Sequence, residues 1–344
     1  MGSNSEKKLL RVLSGQSGSP PPIWLMRQAG RYLPEYRALR AKAGSFLDLC
    51  YTPDYAIEVT LQPICRFGFD ASILFSDILV VPDALGQKLW FVEGEGPRLE
   101  PISQISDLGS YDRRAFLDHL RPVFETVTGL RSALPKEVTL IGFCGAPWTV
   151  ASYMVAGRGT PDLAPLRALA ETAPQRLRGI IDRLVEASID YLIAQVEAGA
   201  EVLQIFESWA QVLDGPAFAT WSLDPVGRII SGVRAIHPDV PIIVFPRKAG
   251  EGYGRVVETL PVNAVSIDPE LDLAWARDHL QSHVAVQGNI DPQSLVKGPD
   301  AIDPAVDRLV STLGDGPLIV NLGHGIDKTT PIEHVEHLIR RVRG

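Results

Sequence analysis

Short, almost continuously apolar runs punctuate the chain, and no other feature limits its fold as strongly. They are Ile23–Met26, Ala71–Phe75, Val138–Ile141, Val202–Phe206, Pro241–Phe245, Ala264–Ile267, Val284–Gln287 and Leu318–Asn321. A strand with one face in water alternates apolar and polar residues, whereas a strand buried on both faces does not. Eight runs of the second kind predict a parallel sheet sheathed in helices. Helix signals fill the intervals. Thr52-Pro53 reads as an N-cap followed by proline at the first helical position, and Gly68 as the terminator. Between Pro174 and Gly199, the residues Ile181, Leu184, Val185, Leu192 and Val196 recur at helical spacing. A last helix starts near Pro331 and ends on Arg340, Arg341 and Arg343, whose charges suit the negative end of its dipole. This alternation predicts a (β/α)8 barrel; the competing arrangement is an open doubly wound sheet with an appended domain. No Gly-x-Gly-x-x-Gly follows an early run, so the dinucleotide fingerprint of that alternative is missing. Pro20–Pro22 forms a rigid lead-in, and the glycine-rich stretch Gly86–Pro97 predicts a hairpin insertion.

Composition narrows the function. The chain has 344 residues, 45% of them hydrophobic, ample for a large core. A net charge of -8 argues against nucleic acid as a partner, but a small acidic substrate remains compatible with a locally positive pocket. Cys50, Cys65 and Cys144 are too few and too scattered for a disulfide framework, so a reducing compartment is expected. Met1–Leu13 carries Glu6, Lys7 and Lys8 and no long apolar run, so neither a signal peptide nor a membrane span is expected.

In a barrel the residues that follow the strands converge on one mouth. Here they are Arg27, Ser76-Asp77, Gly142 to Pro147, Glu207-Ser208, Arg247, Asp268, Gly288-Asn289-Ile290-Asp291 and Leu322-Gly323-His324. Strands end in polar loops in any fold, but the small-residue runs Gly142–Pro147 and Gly323-His324-Gly325 predict close approach of backbone to a ligand. Arg27 and Arg31, with Gln28, Ala29 and Gly30 between them, present two guanidinium forks and several N–H groups to one anion. The planar donors of arginine match both oxygens of a carboxylate. A solvated charge pair at a helix start fits the same spacing equally well. Asp77 is the only charge between Asp70 and Asp83, and without a partner such a residue reads as a satisfied structural carboxylate or a cap. His334 and His337 lack an evident third ligand, so no metal site is expected and they read as solvated residues.

The stretches MRQAGRYLPEYR and ILFSDILVVPDALG resemble the two signature segments of the uroporphyrinogen decarboxylase family. LIGFCGAPWTVASYMVAGRG, LQIFESWA, QGNIDP and NLGHGI follow in the family's order, so the resemblance runs from about Leu9 to the C-terminal helix. It implies a single (β/α)8 barrel domain over residues 1–344, with residues 1–8 disordered, in a cytoplasmic homodimer. It implies a carboxy-lyase that needs no cofactor or metal and binds no nucleic acid or membrane. The substrate would be uroporphyrinogen, whose four acetate arms become methyl groups with release of four CO2, giving coproporphyrinogen for haem synthesis. By the same resemblance Asp77, Arg27 and Arg31 are catalytic, with Asp77 facing the pyrrole N–H groups and the arginines holding carboxylates. Gln28, Ala29, Gly30, Tyr153, Ser208 and His324 would also bind substrate, and Phe46 would pack on the macrocycle. One departure is Trp209, where some relatives carry histidine. Two alternatives are weighed against this reading. A zinc-dependent methyltransferase of the same superfamily needs a His/Cys/Cys ligand set, for which only Cys144 lies near the predicted mouth. A non-catalytic tetrapyrrole carrier would keep the arginines but could dispense with Asp77.

Overall fold

The computed structural model describes residues 7–92 and 94–344. The apolar runs become strands: β1 (Ala71–Ile73), β4 (Thr139–Gly145), β5 (Val202–Glu207), β6 (Ile242–Pro246), β7 (Ala264–Ser266), β8 (Ala285–Ile290) and β9 (Leu318–Leu322). They pair in parallel in the order β1-β4-β5-β6-β7-β8-β9. The two outer strands are joined by the chain around Ile23. On one side Trp24 N–H donates to Val320 O (3.3 Å) and Val320 N–H to Pro22 O (2.9 Å); on the other, Asp70 N–H donates to Ile23 O (2.9 Å) and Ile23 N–H to the Asp70 carboxylate (3.0 Å). These bonds close the sheet, and the fold is a (β/α)8 barrel whose eighth stave is a single bridge at Ile23.

The expected strand Ile23–Met26 is therefore corrected to that bridge. Pro20–Pro22 have no N–H to donate to a ladder, and at Met26 the chain turns, its N–H going to Asn321 Oδ1 (2.9 Å). Two strands run well past the expected runs, with Gly142-Phe143-Cys144-Gly145 in β4 and Gly288-Asn289-Ile290 in β8 rather than in loops, and β5, β6 and β9 each extend by one residue. Phe75 drops out of β1, its N–H taken by Thr60 Oγ1 (3.2 Å). The expected insertion is a hairpin, β2 (Leu89–Val92) paired antiparallel with β3 (Gly96–Leu99).

The helices stand close to their predicted places. Pro53–Phe67 ends at Gly68 in the left-handed conformation (φ 64°), although Thr52 makes no side-chain capping bond. Pro174–Ala198 lays its apolar face on the sheet, and Gln195 brackets the Phe143 backbone of β4 with bonds of 2.9 and 3.0 Å. A Cβ at residue 142 would lie 2.6 Å from Gln195 Oε1, so Gly142 serves helix packing and not ligand approach. Ile332–Arg343 is the last helix. Of the expected disordered segment 1–8, residues 1–6 lie outside the described residues; Lys8 opens a helix to Leu13, and Lys7 Nζ bonds Val138 O (2.7 Å) and Glu201 (2.5 Å). Across the barrel interior, Gln287 links Trp24 Nε1 (3.0 Å), Gln204 Oε1 (3.2 Å) and Ser266 Oγ (3.1 Å). Among the described residues no helix is long and apolar enough to cross a membrane.

Candidate functional site at the barrel mouth

Asp77 sits in the loop between β1 and the short helix Val80–Ala84. Its Oδ1 accepts the Leu79 N–H (2.8 Å), the only hydrogen bond made by its side chain among the described residues. Desolvation pushes its pKa above the ordinary carboxylate range, against the opposing pull of the Leu79 N–H and the Arg27 charge. Burial and the Asp77 charge likewise raise the Tyr153 hydroxyl, while Arg27 lowers it. Tyr153 comes from the helix Pro147–Ala156 that follows β4. The mouth thus gathers Asp77, Arg27 and Tyr153 from three separate elements.

Arg27 holds a left-handed backbone conformation (φ 62°), uncommon for a residue with a side chain. Its side chain lies over Gly325, where a Cβ would collide with Arg27 Cδ. The glycine after His324 therefore makes room for the Arg27 side chain. His324 itself is half-buried. Burial first, then the charges of Arg247, Arg27 and Lys248, lower its pKa to about 4, so the ring is neutral at pH 7. Gly325 N–H donates to His324 Nδ1 (2.5 Å), which leaves the ring proton on Nε2 as a hydrogen-bond donor.

The other expected residues divide. Arg31 is exposed; among the described residues its guanidinium has no hydrogen-bond or ion-pair partner, and its charge acts on Tyr36. Gln28 is fully buried, with its amide engaged by Leu25 N–H (3.2 Å) and Ala71 O (3.3 Å); it braces the loop to β1. Ala29 and Gly30 are half-buried in the same turn. Ser208 is half-buried, and the next residue, Trp209, turns its indole N–H toward the Tyr153 hydroxyl without forming a hydrogen bond. Phe46 packs on Phe75 (5.9 Å between ring centroids) and Phe91 (4.6 Å) beside the Asp77 loop.

Two carboxylates expected at the mouth are part of the frame. Glu207 is fully buried; burial pushes its pKa to about 7, while Thr149 Oγ1, the Trp209 N–H and Ser222 pull it back. Asp268 accepts from Tyr253 OH (2.6 Å), Lys248 N–H (2.9 Å) and Glu270 N–H (3.0 Å). His334 and His337 are also corrected: they bond Leu295 O (2.7 Å) and Asp303 (2.6 Å) rather than facing only solvent. Cys144 is buried in β4 with its thiol toward Ser188 of the long helix, away from the mouth, and burial raises it to about 12. A cavity of about 760 Å³ lies instead on the outer helices, where its Arg228 and Asp182 pair with each other at 2.6 Å.

Comparison with known proteins finds close relatives of the chain. The family described as "Uroporphyrinogen decarboxylase (URO-D)" matches residues 4–344. A uroporphyrinogen decarboxylase of Mesorhizobium japonicum is 56% identical over 336 residues, covering 98% of this chain and 97% of the relative. One from Chelativorans sp. is 54% identical over 339 residues, covering 98% of each. Among solved structures, a methyltransferase from Methanosarcina mazei superposes with a TM-score of 0.79 at 20% identity over 98% of each chain, a likeness of fold.

Proposed function

The chain belongs to the uroporphyrinogen decarboxylase family, and from that premise we propose that it converts uroporphyrinogen to coproporphyrinogen. The observation that carries the reading is Asp77, a desolvated carboxylate with spare acceptor capacity, set beside Arg27, Tyr153 and a neutral His324. Each acetate arm loses CO2 and gains a proton in its place. The electron pair of the broken C–C bond needs a sink, and a pyrrole protonated on carbon provides one as an azafulvene-like cation. A carboxylate at the pyrrole N–H groups stabilises that cation in a poorly hydrated site. It also accepts the N–H bonds and holds the ring over the mouth. Arg27 and Arg31 clamp acetate or propionate carboxylates, and His324 Nε2–H adds a neutral donor. The pyrrole supplies the electron sink, so the reaction proceeds without a cofactor. Residues 1–344 act as one domain, in a cytoplasmic homodimer, as in the family resemblance.

The zinc methyltransferase alternative loses its candidate ligand at the mouth, because the Cys144 thiol faces Ser188. The test is anaerobic incubation of the purified protein with uroporphyrinogen, with and without a chelator. Coproporphyrinogen is expected in both. No product, or product only after zinc is restored, overturns the proposal.

A further inference from the structure

Seven arginines of the described chain are half-buried: Arg247 and six others. The six others, Arg40, Arg98, Arg178, Arg183, Arg234 and Arg255, each give their guanidinium a protein acceptor, whether carbonyl, amide or carboxylate. Of these seven, Arg247 alone has none among the described residues. Its place is fixed nonetheless. It follows β6 directly, and its backbone N–H donates to Glu207 O (3.0 Å), which sets it beside Ser208 at the end of β5. The adjacent cation is already neutralised, since Lys248 Nζ meets Glu270 at 2.6 Å. Asp268, the nearest buried carboxylate in sequence, is taken by Tyr253 and two backbone N–H groups.

Withdrawing a guanidinium from water without an acceptor is costly, and an incoming anion removes that cost. We propose that Arg247 is a substrate-binding residue that takes a second carboxylate of the substrate, on the β5–β6 side of the mouth. The inference rests on the function proposed above and extends its binding map. Asp77 feels the charge of Arg27, whereas His324 feels both Arg27 and Arg247. Both arginines therefore lie near His324. A macrocycle with carboxylate arms around its rim is anchored from both sides, with its centre left to Asp77.

The test compares the parent with Arg247→Gln and Arg247→Lys. Two quantities are read: KM and kcat for uroporphyrinogen, and Kd for uroporphyrin, the oxidised octacarboxylate, by fluorescence quenching. Arg247→Gln is expected to raise both KM and Kd about tenfold or more, with kcat within about threefold of the parent. Arg247→Lys keeps the charge but not the fork and falls between. Arg308→Gln, at an exposed arginine on the helix Pro299–Leu313, serves as control and stays at parent values. Parent-like KM and Kd in Arg247→Gln overturn the inference; if that variant does not fold, parent-like values in Arg247→Lys do so. A parent that binds uroporphyrin but releases no product refutes the decarboxylase reading, and the Kd series still decides Arg247.

Discussion

Asp77 and Asp268 occupy equivalent stations, each just past a parallel strand of one barrel. Their surroundings differ. Asp268 receives a phenol and two backbone N–H groups, so its acceptor sites are largely filled. Asp77 receives one N–H, and burial lifts its pKa. The same contrast separates Lys248, paired with Glu270, from its neighbour Arg247, which has no acceptor among the described residues. On the function proposed above, unmet hydrogen-bonding capacity, rather than position at the mouth, separates a reactive residue from a structural one in this barrel.

The comparison is broken or sharpened by substituting each side of it. The largest effect is expected at Asp77. Asp77→Asn keeps shape and removes charge, so single-turnover decarboxylation should fall at least about 10²-fold, roughly 2.7 kcal/mol, while uroporphyrin binding changes far less. A near-parent rate would reduce Asp77 to a positioning role like that of Asp268. Asp268→Asn should do the reverse: one of its three donors then faces an amide N–H₂, costing about 1–3 kcal/mol in urea unfolding while kcat stays within about threefold. A large kcat loss with unchanged stability would erase the distinction.

The smallest effect concerns pH. His324 binds its proton near pH 4 in the folded chain and near 6.5 when unfolded. The unfolded state therefore holds more protons between those values, and stability declines as pH falls from 6.5 toward 4. Glu207 acts in the opposite sense: its folded pKa of about 7 against 4.5 unfolded makes stability decline as pH rises through that window. Replacing His324 by asparagine should lessen the acid-side loss by about 1 kcal/mol, allowing for the partial exposure of the ring. Identical pH–stability curves for parent and variant would contradict a neutral, desolvated His324.

Much of this arrangement is legible in the sequence. Seven runs became strands because residues buried on both faces leave an unmistakable apolar trace, and the glycine-rich stretch became β2–β3. Arg27 and Asp77 were legible through their segments, and Asp77 also through its isolation among apolar neighbours. The burial of the Gln28 amide was not legible, because its partner Ala71 O belongs to a strand distant in sequence. Arg247 was visible as a residue after a strand. Its lack of an acceptor is a property of tertiary neighbours, and no local pattern carries that information.

The single-bridge seam at Ile23 has a consequence for how the protein comes into being. Met26 bonds Asn321 across 295 positions, and Arg27 follows immediately. Contacts so distant along a chain are among the slowest to form, since loop closure must be completed before they can contribute. The segment that presents Arg27 is therefore docked against one of the last strands to be synthesised. A chain in which this contact has not yet formed lacks the anchor that sets Arg27 beside Asp77. On the role proposed for Arg27, capacity to capture substrate arrives with final closure, which makes ligand binding a reporter of completed folding rather than of partial collapse.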